Sequence, residues 1–198
     1  MKILGELRAS VVAVVLSTIV LGLGFPAIMT GIGQLFFAHE AQGSLIEKNG
    51  HVVGSELAAQ SFTKPQYFHE RPSATSPPYN AGATTFANLG PTNTELAKAV
   101  KERVAAILKL ERPYNPGLSV HAIPVDAVTT SGSGIDPDIS AANARLQSRR
   151  VAALRHMSLD EVNKLISQNT DDRSLGFFGE PGVNVLELNL ALDKPQGK

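Results

Sequence analysis

Residues of the types that do chemistry are sparse in this chain, and the best gathered of them is Ser131-Gly132-Ser133-Gly134. A glycine-rich loop between a strand and a helix offers backbone N–H groups and a helix N-terminus to an anion, which makes Ser131, Gly132 and Gly134 candidate contacts for a nucleotide phosphate. The lysine of a phosphate-binding loop is missing, the dinucleotide spacing is not met, and Asp126, Asp136 and Asp138 carry the wrong sign. A tight turn needs the same glycines for backbone reasons alone. The serines lie outside any nucleophile elbow, so they have no assigned base or acid. Histidines 39, 51, 69, 121 and 156 lack the spacing of a helical zinc site. Asp136-Pro137-Asp138 lacks the ligand ladder of a calcium loop and reads as helix-capping carboxylates. With no cysteine, thiolate chemistry and disulfides are excluded. No metal site and no catalytic constellation is expected.

The element that must position everything else is a run from Ala9 to Ala38 without one ionisable side chain. At helical rise such a run reaches about 45 Å, against a hydrocarbon core of roughly 30 Å. Its apolar residues favour insertion by about 4–7 kcal/mol, at roughly 0.3–0.6 each. A cleavable signal peptide would have a shorter apolar region and a small-residue cleavage site, and a buried core helix would show polar positions at helical period. The expected organisation is therefore a short cytoplasmic N-terminus (1–10), a transmembrane helix (11–33) and an exported domain (39–198). Lys2 and Arg8 precede the span and the next cation is Lys48, a bias that puts the N-terminus inside. Pro26 predicts a kink in the helix, eased by Gly22 and Gly24, and Gly22, Gly24, Gly31 and Gly33 offer smooth surface to a partner helix. Gly22, Pro26 and Gly31 are thus candidate partner contacts.

In the exported part, Asn49-Gly50 predicts a hairpin between two short strands. Residues 73–93 have no period, and Tyr79, Phe86 and Leu89 give this long loop something to bury. A helix starting at a Thr92/Glu95 capping box carries the stripe Leu96, Val100, Val104, Ile107 and Leu108 until Pro113. Val120 to Thr130 reads as a strand interrupted by Pro124. Ser140 or Asp138 caps a helix reaching Arg155, and Ser158 with Glu161 caps another. Leu186, Leu188, Leu190 and Leu192 alternate with polar residues as in a one-face-buried strand. No internal repeat is visible, and the fold class is a small α+β domain behind one membrane helix. The chain carries 18 Lys and Arg against 18 Asp and Glu, a balance without the electrostatic footprint of a nucleic-acid binder.

Several blocks stand out in order along nearly the whole chain: the N-terminal span with Pro26, Gly43-Ser44-Leu45-Ile46, Tyr67-Phe68-His69, Arg71-Pro72-Ser73-Ala74, Pro78-Tyr79-Asn80 and Asn88-Leu89. Farther on come Ser131 to Asp136, Gln147, Arg150-Val151-Ala152, and Gly179-Glu180-Pro181 leading into Val183 to Asn189. Together these co-linear blocks resemble the C subunit of the Kdp potassium-transporting ATPase. The resemblance implies a non-catalytic subunit of a bacterial inner-membrane pump, working beside a channel-like potassium subunit, a P-type ATPase subunit and a small membrane peptide. It implies a catalytic chaperone that promotes ATP binding by the ATPase subunit, with Gln147 at the position of the family's nucleotide-contacting glutamine. The cation bias puts Gln147 on the side away from cellular ATP, so those two expectations pull apart. Arg71, Tyr79 and Asn80 are expected to pack on the channel-like subunit, with acids at 126, 136, 138, 171, 172 and 180 lending negative potential to a potassium entrance. The other class left open is a stand-alone membrane-anchored envelope protein, a binding protein or an enzyme, that needs no partner.

Overall fold

The computed structural model describes residues 2–194, with only the backbone of Lys2. Met1 and residues 195–198, which the expected terminal and exported regions include, lie outside it. The chain divides into two compact units, 1–45 and 46–198.

The first unit is the apolar helix, running as α1 (Lys2–Ser17), a π-helical stretch (Thr18–Gly24) and α2 (Phe25–Phe36). Ile3–Phe36 is 34 residues long, reaches a mean hydropathy of 2.4 and has no residue of that stretch buried, as expected for a span. The π turns answer Pro26, whose missing N–H and bulky ring cannot fit an α turn; the Phe25 N–H bonds instead to the Val20 carbonyl, five residues back. A short helix, α3 (Ala38–Ala41), follows.

The second unit is the mixed helix and strand domain. Strands β1 (Leu45–Lys48) and β2 (His51–Ser55) form the hairpin that Asn49-Gly50 predicts, with φ of 56° and 76° at the turn. Helix α4 (Thr94–Glu111) is capped by Asn93, whose side chain accepts the Glu95 N–H at 2.8 Å; Thr92 does not cap it. The better cap wins because asparagine sits one residue nearer the first helical turn. Its predicted stripe is half-buried, and Glu111 is the helix's buried residue.

Two expected strands are helices. Val120–Ala122 is a 3₁₀ turn and Val125–Val128 is α5, entered from Pro124 in extended geometry. The β-branched residues here have no strand to pair with, and Val120 and Val125 point to solvent, so their β preference has nothing to act through. Val185–Leu192 is α8. Asn184 caps it by accepting the Glu187 N–H, and Val185, Leu188 and Leu192 fall on one helical face while Leu186 and Asn189 are buried beside it. An alternation over eight residues does not separate a strand from a helix buried on more than one side.

A three-stranded antiparallel sheet joins β3 (Asp138–Ser140), β5 (Gly182–Asn184) and β4 (Thr170–Asp171) in the order β3-β5-β4, with Ile139 opposite Val183 and Thr170 opposite Val183. Helix α6 (Ala141–Arg155) is capped by Ser140, and α7 (Leu159–Gln168) by the Ser158/Glu161 capping box. Phe68, Ile139, Val151, Val162, Ile166, Val183, Val185 and Leu188 form the core between sheet and helices. Each fully buried side chain of this kind contributes about 1.5–3 kcal/mol.

Candidate functional site

The most heavily built part of the domain is a stretch without regular structure, Gln66 to Arg71. Its backbone is met by side chains on either hand. Gln147 of α6 accepts the His69 N–H at 2.8 Å and donates to the His69 carbonyl at 3.0 Å. Asn189 of α8 does the same to Phe68, at 2.9 Å both ways. Two carboxamides thus stand in for the neighbouring strands that Phe68 and His69 lack. Arg150 donates to the carbonyls of Pro65 and Tyr67, and Arg155 to that of Gln66. The Arg155 guanidinium also lies 4.6 Å over the Tyr67 ring and bonds Asp193, which the Tyr67 hydroxyl bonds as well.

Arg150 is wholly buried, and its charge is met by Glu111 of α4 at 2.8 Å. A buried pair of this kind stands only with its remaining protons placed, and Arg150 places them on Pro65, Tyr67 and the Gln147 Oε1. Burial pushes the Glu111 carboxyl up from its ordinary value, with Arg150 opposing. Burial, seconded by Arg150, pushes His69 down, toward a neutral ring.

The Gln147 carboxamide is fully engaged: besides His69 it donates to Asn143 Oδ1 and accepts from Arg150 Nη2. It is 5% exposed. Gln147 therefore sits inside the domain as a strut rather than on its surface.

Arg71, Tyr79, Asn80, Ser131 and Gly134 do come together, around Ser73 and Thr75. Arg71 pairs with Asp136 at 2.8 Å and donates to the Thr130 carbonyl. The Tyr79 hydroxyl donates to the Arg71 carbonyl, the Tyr79 N–H to Ser73 Oγ and the Asn80 N–H to Thr75 Oγ1. Ser73 Oγ donates to the Gly134 carbonyl at 2.6 Å, and Ser131 Oγ accepts the Gly134 N–H. Gly134 has φ +74°, and a Cβ there would stand 2.7 Å from Thr75 Cγ2 and 2.8 Å from the Thr85 carbonyl. Only glycine admits that approach. Gly132 is exposed with open space around it. The turn does not lead into a helix as expected, because β3 intervenes before α6. Past Asn80 the loop faces solvent, with Phe86 55% exposed.

Glu70 lies beside this cluster with both carboxyl oxygens shut from solvent, as is Arg71 Nε, which has no partner. Burial pushes Glu70 up to about 9, the Gln60 backbone opposing and Asp136 and Asp138 adding to the rise. Glu70 is thus a neutral acid at pH 7. Burial and then Glu70 push Tyr79 up to about 12, and burial followed by Asp136, Asp171 and Glu187 pushes Asp138 up to about 6. Among the acids at 126, 136, 138, 171, 172 and 180, Asp126 is spent on Ser140 and Asn143 at the start of α6, and Asp136 on Arg71. Asp171, Asp172 and Glu180 are exposed.

In the apolar helix, a Cβ on Gly31 would meet nothing within 4 Å and one on Gly22 only Thr18 Cγ2 at 3.8 Å, so both present open backbone. Pro26 lies just past the π stretch, near the start of α2.

The description "K+-transporting ATPase, c chain" belongs to the family model that matches residues 7–194. The chain belongs to the KdpC family. It is 52% identical over 177 residues to the potassium-transporting ATPase KdpC subunit of Methylococcus capsulatus, covering 89% of this chain and 90% of that one. The KdpC subunit of Herminiimonas arsenicoxydans is 49% identical over 189 residues, 95% and 97% of the two chains, and that of Mycobacterium bovis BCG is 48% identical over 189 residues, 96% and 98%. The KdpC match thus runs through the apolar helix, the Arg71 cluster and the Gln147 strut alike. Asn189, Arg150 and Glu111 were not singled out by type or spacing: a glutamate before a helix-ending proline and an arginine amid α6 look like solvated charges until their distant partners are known.

Proposed function

We propose that this chain is the C subunit of a potassium-transporting ATPase and performs no catalysis of its own. It is held in a bacterial inner membrane by its one apolar helix, N-terminus in the cytoplasm, with the folded domain on the outer side. Its partners are the channel-like potassium subunit, the P-type ATPase subunit and the small membrane peptide. Gly22, Pro26 and Gly31 meet a partner helix, and the loops about Arg71, Tyr79 and Asn80 seat the domain over the potassium entrance. The observation that carries this reading is family membership across residues 7–194, in a domain whose Gln147 carboxamide is spent on His69, Asn143 and Arg150.

ATP enters this reading through the ATPase subunit, whose nucleotide use the chain promotes as a catalytic chaperone. A direct contact by Gln147 would require it to leave His69, Asn143 and Arg150. We therefore assign Gln147 to holding the Tyr67 to His69 segment, and do not count Ser131, Gly132 or Gly134 among ATP ligands.

The test is potassium-stimulated ATP hydrolysis by the purified complex, made with the full chain or with one ending after Phe37. Loss of stimulation in the truncated complex is expected, together with a reporter fused after Lys198 that is active only outside the cytoplasm. Normal pumping without the domain would overturn the proposal.

A further inference from the structure

Between β4 and β5 the chain leaves the sheet for ten residues, 172–181, all of them exposed except the half-buried Pro181. Ser174 pairs with Phe178 as an antiparallel bridge, and the turn between them bonds Gly176 N–H to the Arg173 carbonyl and Phe178 N–H to the Ser174 carbonyl, both at 2.9 Å. Its tip is Leu175-Gly176, at φ +54° and +81°. Two successive left-handed residues are what a tight hairpin needs, and asparagine or glycine fills the first place without strain. Here a leucine fills it and is 83% exposed. Phe177 and Phe178, 64% and 57% exposed, lie against each other with ring centroids 4.1 Å apart. The finger is not a frayed end: Arg173 and Glu180 pair across its base at 2.7 Å, and β5 behind it carries the fully buried Val183. A backbone conformation unfavourable to leucine is thus maintained, and three large apolar side chains are held out from the domain where none of its described residues covers them.

The collar of the finger identifies the kind of surface that accepts it. Asp171, Asp172 and Glu180 stand there against Arg173 alone, and Arg173 is taken by Glu180. A loop that dips into a lipid surface carries lysine or arginine about its apolar residues, and this one carries the opposite sign. We propose that the finger of Leu175, Phe177 and Phe178 is a docking knob that enters an apolar pocket with a basic rim on another polypeptide of the ATPase. Burial of clustered aromatic anchors inside a charged rim is how a small contact holds two proteins together. This inference rests on the chain's being an ATPase subunit, and adds a contact separate from the Arg71, Tyr79 and Asn80 surface.

The full complex in its membrane provides the test. With a photo-crosslinking benzoylphenylalanine in place of Phe177, illumination should join this chain to another polypeptide of the complex. An adduct with lipid, or none in an assembled complex, overturns the proposal. Leu175→Asn keeps a residue content with left-handed backbone, so the variant should unfold at the same or a higher temperature while its retention on the tagged complex through detergent washing falls at least tenfold. Leu175→Asp should fall as far. Undiminished retention of both variants overturns the knob alone; a wild-type chain that fails to co-purify overturns the subunit reading, and the knob with it.

Discussion

Two irregular stretches of the domain, Gln66 to Arg71 and Arg173 to Glu180, use their residues in opposite ways. In the first the side chains of distant helices reach in and take every main-chain polar group of Phe68 and His69. In the second the backbone looks after itself through a tight turn and one ion pair, and the apolar side chains face outward. Lack of secondary structure therefore means two different things in one small domain. The first stretch is an internal beam fixed by polar contacts, and the second is a projection whose apolar contacts lie elsewhere.

The contrast breaks most severely at Arg150. Arg150→Ala leaves Glu111 buried without its partner and should cost about 3–5 kcal/mol in denaturant unfolding of the chain. Replacing both, as Arg150→Met with Glu111→Leu, should recover part of that, since a removed pair costs less than an orphaned charge. If the single and double variants are equally unstable, the beam depends on the Arg150 contacts to Pro65 and Tyr67 more than on the ion pair.

The carboxamides come next. Gln147→Ala and Asn189→Ala each strand a buried N–H and carbonyl, and each should cost about 1–3 kcal/mol, most of it recovered only by an amide of the same length. Asn189→Asp puts a buried carboxylate against the Phe68 carbonyl, so at neutral pH an unfolding midpoint no higher than that of Asn189→Ala is expected, rising as acid protonates the carboxyl and restores a donor.

Glu70 offers a titration. Its folded value lies near 9, above the ordinary carboxyl value of 4.5, so the folded state holds a proton that the unfolded state releases, and stability falls as pH rises through that interval. Glu70→Gln does not titrate. The advantage of the variant over wild type should grow by up to about 1.4 kcal/mol per pH unit between pH 5 and 9 and then level off, as thermal unfolding across that range would reveal. A gap independent of pH would mean that the carboxyl is ionised in the folded state.

The smallest effect belongs to the projection. Arg173→Ala breaks an exposed pair and should change stability by less than about 1 kcal/mol. A loss as large as that from Asn189→Ala would erase the distinction between the two stretches.

What could be read in the sequence was local. The apolar helix, the Asn49-Gly50 hairpin and the Ser158/Glu161 box are each set by residues within a few positions of one another, and all are present. The two misread strands needed knowledge of what lies alongside. Val120 to Thr130 has β-branched residues without a neighbouring strand, and the leucines of α8 meet core on more than one face. The same holds for the site. Gly134 could be expected at a turn, yet the reason no other residue fits is the approach of Thr75 and Thr85, from loops far away in the chain. Gln147 could be noticed only through resemblance. Its bonds to residues 78 positions earlier leave no local trace.

The clamp on Phe68 and His69 has a kinetic consequence. Their amide hydrogens point at oxygens carried by α8 and α6, the helices that enclose the core, so water cannot reach either amide unless those helices part from the segment. In deuterated buffer these two protons, from a stretch outside every helix and strand, should be among the last to exchange, at the rate of whole-domain opening. The domain's slowest clock then ticks outside its sheet and its helices.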